Sequence, residues 1–253
     1  MFQLSILGCG WLGEAFVAKY AGVYAIKAAV QSASHLQQLQ PLNCQPYQLP
    51  QDGSDFYNAD AVLISLSPRH NYQDAFELLV RNVSKDTQLI LLSATSVYAG
   101  CEGSISDLDL PRLKEGSMLA MERFLLEKRS DTLVLRLGGL MGDDRVAGRW
   151  KQQRKVVENS CVNYLHQEDA ISVINLCIEK NITNKILNVV APQHPKRSEI
   201  YAMNEAKEDR GKTNFIDAPT RLIQSSYLIQ NLGYTFIKPN PLEFWTKKVY
   251  NRS

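Results

Sequence analysis

The chain has 253 residues, 45% hydrophobic and 21% charged, and its 28 Lys and Arg against 26 Asp and Glu leave a net charge of +2. This is ordinary globular composition with enough length for a sizeable core, and it excludes collagen, coiled-coil and disordered chains. No apolar run approaches the ~18 residues of a membrane span, and Met1 runs straight into a short apolar segment with no basic leader, so a cytoplasmic protein without a membrane partner is expected.

In chain order, short apolar β-type runs alternate with helical patterns. Strands are expected over Phe2–Leu7, Tyr24–Val30, Gln45–Leu49, Ala61–Leu66, Gln88–Ser93 and Thr132–Leu137, with a seventh over Ile186–Val190. Between them, Leu12, Phe16 and Tyr20 share one helical face, and Ala75, Leu78, Leu79 and Val83 share a second within Asn71–Val83. Glu115–Leu126 reads as a crossover helix and Glu168–Lys180 as a later one. This rhythm predicts an α/β protein built on a doubly wound parallel sheet with helices on both faces. Beyond Gly138 the pattern loosens. The chain is therefore expected to be one sheet-centred unit over 1–253, with a smaller substrate lobe contributed by about 140–165 and 192–253.

Gly8-Cys9-Gly10-Trp11-Leu12-Gly13 follows the first strand and opens the first helix. In a strand–turn–helix setting the first glycine of GxGxxG permits the tight turn. The second lets backbone approach a pyrophosphate, and the third lets helix pack on strand. The helix N-terminus, with the amides of Trp11 and Leu12, offers donors to the phosphates. A dinucleotide cofactor is therefore expected, against the alternative that the glycines only build a turn. The acidic residue expected ~20 positions on, which grips the ribose of NAD, is missing from Ala28-Ala29-Val30-Gln31-Ser32. Gln31, Ser32, Ser34 and His35 offer hydrogen bonds to a 2′-phosphate instead, so the sequence leans to NADP over NAD.

Charge and cysteines add less. Residues 1–144 carry 11 basic and 16 acidic side chains (net −5), and residues 145–253 carry 17 and 10 (net +7). Arg145, Arg149, Lys151, Arg154 and Lys155 form an acid-free run that is either an attractor for an anionic substrate or a solvated face. Nucleic-acid binding by this half lacks any aromatic-interleaved basic motif and is not expected. Cys9, Cys44, Cys101, Cys161 and Cys177 are odd in number and never in CxxC spacing, so buried reduced thiols are expected and no metal site.

Several segments together resemble the extended short-chain dehydrogenases/reductases, and more narrowly their atypical branch of NAD-dependent epimerase/dehydratase or sugar-nucleotide epimerase-like proteins. They are the glycine turn, Leu66-Ser67-Pro68-Arg69, Ser93-Ala94-Thr95-Ser96-Val97-Tyr98, Leu135-Arg136-Leu137-Gly138-Gly139-Leu140-Met141-Gly142 and Asn163-Tyr164-Leu165-His166-Gln167-Glu168-Asp169. Leu187-Asn188-Val189-Val190 and Leu232-Gly233-Tyr234 extend the likeness over nearly the whole chain. The resemblance implies a Rossmann fold, a nicotinamide dinucleotide, a polar or nucleotide-linked substrate, and a homodimer through the Asn71–Val83 and Glu115–Leu126 helices. It also implies a Ser/Thr, Tyr and Lys set in which the lysine lowers the phenol's pKa from ~10. Here Ala94, Lys114 and Met118 stand at those three positions, so the usual proton relay is absent.

Thr95, Ser96 and Tyr98 are the candidate substitutes, with Tyr98 packing under its own loop as the alternative. Gly8, Gly10, Trp11, Leu12, Gly13, Gln31, Ser32, Ser67, Arg69, Ser93 and Gly138 are the candidate cofactor contacts. Arg145, Arg149 and His166 are the candidate substrate contacts, His166 being either a general base or a hydrogen-bonded structural histidine. Arg136, inside an apolar strand, must find a cofactor, a substrate or an internal carboxylate if buried. The pocket is expected between the glycine turn, Ser67–Arg69, the Ser93–Tyr98 loop and Gly138–Gly142. Two functions remain open: an NAD(P)-dependent epimerase, dehydratase or reductase, or a non-catalytic dinucleotide-binding regulatory or scaffold protein.

Overall fold

The computed structural model describes residues 1–48, 54–67, 72–108, 110–111, 113, 115–149, 156–204 and 213–245. In chain order they form β1 (Gln3–Leu7), α1 (Trp11–Tyr20), β2 (Ala25–Val30), α2 (Ala33–Leu39), β3 (Gln45–Gln48), α3 (Ser54–Tyr57), β4 (Ala61–Ile64), α4 (Tyr72–Asn82) and β5 (Gln88–Ala94). A 3-10 turn at Thr95–Tyr98 leads to β6 (Gly103–Ser106), α5 (Ser117–Lys128), β7 (Leu133–Leu137), β8 (Gly139–Met141), β9 (Val156–Glu158) and β10 (Tyr164–His166). Then come α6 (Gln167–Glu179), β11 (Lys185–Val189), α7 (Arg197–Asn204), β12 (Asn214–Ile216), β13 (Arg221–Gln224), α8 (Ser226–Gln230) and a 3-10 turn at Pro241–Glu243.

The seven expected strands make one sheet in the order β11-β7-β5-β4-β1-β2-β3, and the β1–β2, β1–β4, β2–β3 and β4–β5 pairs are parallel. Central strands of such a sheet are covered on both faces, which is why every residue of β4 and β7 is buried, β4 as an unbroken apolar run and β7 as an aliphatic run broken only by Arg136. Strand order reverses between β1 and β4. A crevice for ligands opens at the carboxyl ends of the strands at such a point. The fourth strand stops two residues before the expected Leu66, and Leu49 and Asn71 lie outside the described residues.

The chain divides into two compact units. The first comprises 1–99, 113–136 and 171–187; the second comprises 100–112, 137–170 and 188–253. In the first, Leu7, Val62, Ile64 and Leu91 of the sheet pack with Phe76 and Leu79 of α4 and with Met121 and Leu125 of α5. In the second, three two-stranded parallel ladders (β10 with β8, β12 with β9, β13 with β6) accompany a small core of Met141, Ala147, Val162, Ala191, Ile200 and Phe244. No helix of the described residues is long and apolar enough to cross a membrane.

Candidate functional site: a glycine turn at the strand switch

The three glycines of the turn do three different things. Gly8 has φ of 90°, and a Cβ there would stand 2.8 Å from the backbone oxygen of Ser65, so both conformation and space require glycine. Its amide and that of Cys9 donate to the Ala29 carbonyl at 3.1 and 2.8 Å, which folds the chain back over the end of β2. A Cβ on Gly13 would stand 2.9 Å from Cys9 Sγ and 3.3 Å from Ile6 Cγ2, so its absence lets α1 settle on β1. Gly10 differs. It is the N-cap of α1 in extended backbone (φ −99°, ψ −157°), without a side-chain cap, and a Cβ there would meet nothing within 4 Å.

An α-helix leaves its first amides without partners inside the helix and carries a partial positive charge at that end. The turn therefore presents donors and open space together, with half-buried Trp11 and buried Leu12 fixing the first turn of α1. Cys9 is fully buried, and burial, helped by Cys44 and Glu14, pushes its thiol up to about 12, so it is inert. All five cysteines are free, Cys177 is also buried, and no cluster of metal-ligating side chains occurs among the described residues.

Beside the turn lies a cavity of about 240 Å3, lined by the ends of β1 and β2, by Tyr57 and Leu66, and by Asp74, Ala75 and Leu78 of α4. It is smaller than the about 300–1,000 Å3 of drug-sized ligand pockets, room for one part of a dinucleotide. Gln31 stands at its edge, and the Gln31 carbonyl accepts from Gln48 Nε2 at 3.4 Å. Ser32 is engaged elsewhere. Its hydroxyl caps α2 by accepting from the His35 amide at 3.2 Å and lies 3.2 Å from the Ser34 hydroxyl. Ser67 is exposed just past β4, whereas Pro68, Arg69 and Lys114 lie outside the described residues.

At the end of β5 the side chains turn inward. Ser93 donates to Glu122 Oε1 at 2.5 Å, and Arg136 donates to both Glu122 oxygens, at 3.0 and 2.6 Å. The remaining Arg136 nitrogen donates to the Tyr98 hydroxyl at 3.0 Å, and the guanidinium carbon lies 5.1 Å from the Tyr98 ring centroid. All four residues are buried. Burial opposes the charge on Arg136, but Glu122 and Tyr98 outweigh it and raise its pKa. The carboxylate that Arg136 required is thus Glu122, which the sequence reading did not place in the site. Tyr98 is fully buried with its ring under the loop, the alternative weighed from sequence, and Ser93 likewise faces the core. Thr95 is buried as well, and Ser96 is the exposed hydroxyl of the turn. Met118 packs against the first core.

The other expected contacts belong to the second unit. A Cβ on Gly138 would stand 2.7 Å from the Asn163 oxygen, so close packing of β10 explains this glycine without a ligand. Arg145 forms a bridge with Gly142, and Arg149 Nε donates to the Asn204 carbonyl at 2.8 Å. Lys151, Arg154 and Lys155 lie outside the described residues. His166 is buried against Phe244, its Nδ1 accepting from the Glu168 amide at 3.3 Å and its Nε2 without a partner among the described residues. Burial lowers its pKa. Asp169 accepts from the Tyr234 hydroxyl and from the amides of Ile237 and Lys238, which anchors the segment after α8.

No family model matches the chain, and no curated protein matches it by sequence. Solved structures do. A functionally unknown conserved protein from Silicibacter pomeroyi superposes with a TM-score of 0.82 at 14% identity, covering 97% of both chains. The dTDP-glucose 4,6-dehydratase of Bacillus anthracis in complex with NAD has a TM-score of 0.75 at 13% identity, over 97% of this chain and 96% of that one. The UDP-glucuronic acid 4-epimerase of Bacillus cereus in complex with NAD has 0.72 at 15%, over 96% of both. The fold of this chain, over nearly its whole length, is that of the NAD-dependent epimerases and dehydratases that its sequence resembles.

Proposed function

We propose that the Gly8–Gly13 turn binds the pyrophosphate of a nicotinamide dinucleotide, and that the protein serves an epimerase-, dehydratase- or reductase-type reaction on a nucleotide-linked or other polar substrate. One observation carries the binding reading. Gly10 needs no positive φ, and a Cβ there meets nothing among the described residues, so beyond its N-cap place it has no close approach to explain it, and a phosphate group at the helix N-terminus supplies one. Gly8 and Gly13, by contrast, are explained by the fold alone. The cofactor, when bound, accepts or donates hydride. The protein's own part is to hold the phosphates on the α1 amides and to enclose one end of the ligand in the cavity beside Gln31. The homodimer through α4 and α5 that the resemblance implies belongs to the same reading.

A second reading, a dinucleotide-binding regulatory or scaffold protein without turnover, is favoured by the loop after β5. There Tyr98 is buried on Arg136, and Ser96 is left as the exposed hydroxyl. Calorimetric titration with NAD, NADH, NADP and NADPH tests what both readings share. Binding of one pair by the wild type and its loss in Gly10→Asp, at unchanged melting temperature, is the expected result. A wild type that binds none of the four overturns both. Change of nicotinamide absorbance on adding nucleotide sugars to the loaded protein then separates enzyme from binder.

A further inference from the structure

In the second unit, the segment after α8 closes on the small core as a strap, with Leu242, Phe244 and Trp245 packed into it. Asp169 pins the start of the strap, accepting from the amides of Ile237 and Lys238 at 2.7 and 2.9 Å, and the Pro239 carbonyl accepts from the Gln193 amide at 3.1 Å. Its far end is held by two rings. Trp245 Nε1 donates to the Gly142 carbonyl at 2.9 Å, and buried Phe244 meets the His166 ring edge-on, 5.2 Å between centroids. His166 is itself only 4% exposed, and its two nitrogens differ. Nδ1 accepts from the Glu168 amide in the first turn of α6, so the neutral ring carries its proton on Nε2. Nε2 is buried with no acceptor among the described residues.

We propose that His166 is an acid-sensitive latch: its neutral ring keeps Phe244 seated and the Pro239–Trp245 strap closed on the second core, and its protonation releases that strap. A second proton can enter the ring only at Nδ1. There it would face the Glu168 N–H, at the end of α6 that carries partial positive charge, and the new charge would stand against the apolar Phe244. The charged groups around the ring draw an imidazolium outward. Glu168 and Asp143 are exposed and attract it, Lys238 repels it, and buried Asp169 already has both oxygens engaged. Glu243, on the strap, accepts from Asn240 Nδ2 at 3.1 Å. The half-buried His194, bonded to the Val162 carbonyl at 3.1 Å, is the comparison group. The latch concerns the second unit alone and stands apart from the dinucleotide reading.

The experiment labels the full chain with 5-fluorotryptophan and follows its three tryptophans by fluorine NMR between about pH 7.5 and 5, each signal being assigned by replacing one tryptophan with phenylalanine. The Trp245 signal is expected to move with a midpoint below the ordinary histidine value of 6.5, because burial holds the ring neutral, while those of Trp11 and Trp150 stay in place. The movement should vanish in His166→Gln and persist in His194→Gln. Where His166→Gln fails to fold, ring-proton NMR of the four histidines in the otherwise native chain decides instead, with His166 assigned by replacing the other three. His166 and Trp245 must then share one midpoint. The latch is overturned by a Trp245 signal that stays unmoved, that still titrates in His166→Gln, or whose midpoint departs from that of His166. Three tryptophan signals moving together, as in global unfolding, overturn it as well.

Discussion

At the scale of single residues, the three glycines of one motif separate into two kinds. Gly8→Ala must open a 2.8 Å approach to the Ser65 oxygen and place a side chain at φ of 90°, and Gly13→Ala must push Cys9 or Ile6 aside. Each is expected to cost about 1–3 kcal/mol of stability in thermal or urea unfolding. Gly10→Ala, which only makes a poorer N-cap, should cost less, about 0.5–1 kcal/mol, while weakening dinucleotide binding. Equal destabilisation by all three would show the turn to be purely architectural. The Glu122–Arg136 pair makes a second residue-scale prediction. Glu122→Ala leaves a buried guanidinium uncompensated and is expected to cost about 3–5 kcal/mol, and adding Arg136→Met should recover part of that loss. A double variant as unstable as the sum of the singles would argue against the pairing. The glycine motif was legible in the sequence because local geometry dictates it. The Glu122 partnership was not, since spacing along the chain does not say which acid an arginine of β7 will meet. The acid of α4 went unread for a similar reason: only the strand order brings Asp74 and Gln31 to one cavity.

At the scale of elements, the strands of the large sheet were read to within two residues of either end because most of them are short, largely aliphatic runs bounded by polar or glycine residues, the edge strand β3 (Gln-Pro-Tyr-Gln) being the exception. The ladders of the second unit were missed. Segments of three or four residues such as β6 and β13, paired across more than a hundred positions, carry no periodicity of their own. Within that unit, β10 ends on His166, whose pKa burial holds below the ordinary 6.5, and burial lowers His194 in the same direction. The sign follows from linkage. The unfolded chain protonates these imidazoles first as pH falls, so stability is full above about 6.5 and declines on acidification towards the depressed folded values. Melting temperatures measured between about pH 7.5 and 5.5 should fall for the wild type and fall less steeply for His166→Gln. Identical slopes would remove His166 from that account.

At the scale of the whole molecule, the sequence reading expected one sheet-centred unit over 1–253 with a smaller lobe from about 140–165 and 192–253. What it did not show is how often the chain passes from one unit to the other: at Ala99, Arg112, Arg136, Ala170 and Leu187. Neither unit is a continuous stretch. A fragment ending at Ala99 is therefore expected to be insoluble or molten by circular dichroism and dye binding, because β5 would present a bare edge where β7 pairs in the whole chain. A soluble, cooperatively melting 1–99 fragment would contradict this.

That threading also has a consequence in time. During synthesis β5 leaves the ribosome roughly 40 residues before its neighbour β7, about 2–8 s at ~5–20 residues per second. For that interval the nascent sheet ends on an open, aliphatic strand. The last strand of the sheet, β11, arrives only after the whole of the second unit's middle segment, 137–170, has been made. The glycine turn can close early, since β1, α1 and β2 are local, but the cavity beside it waits for α4. A cofactor that binds there would meet a folding chain before it met a finished one, and its concentration would be expected to set the yield of native protein as well as its occupancy.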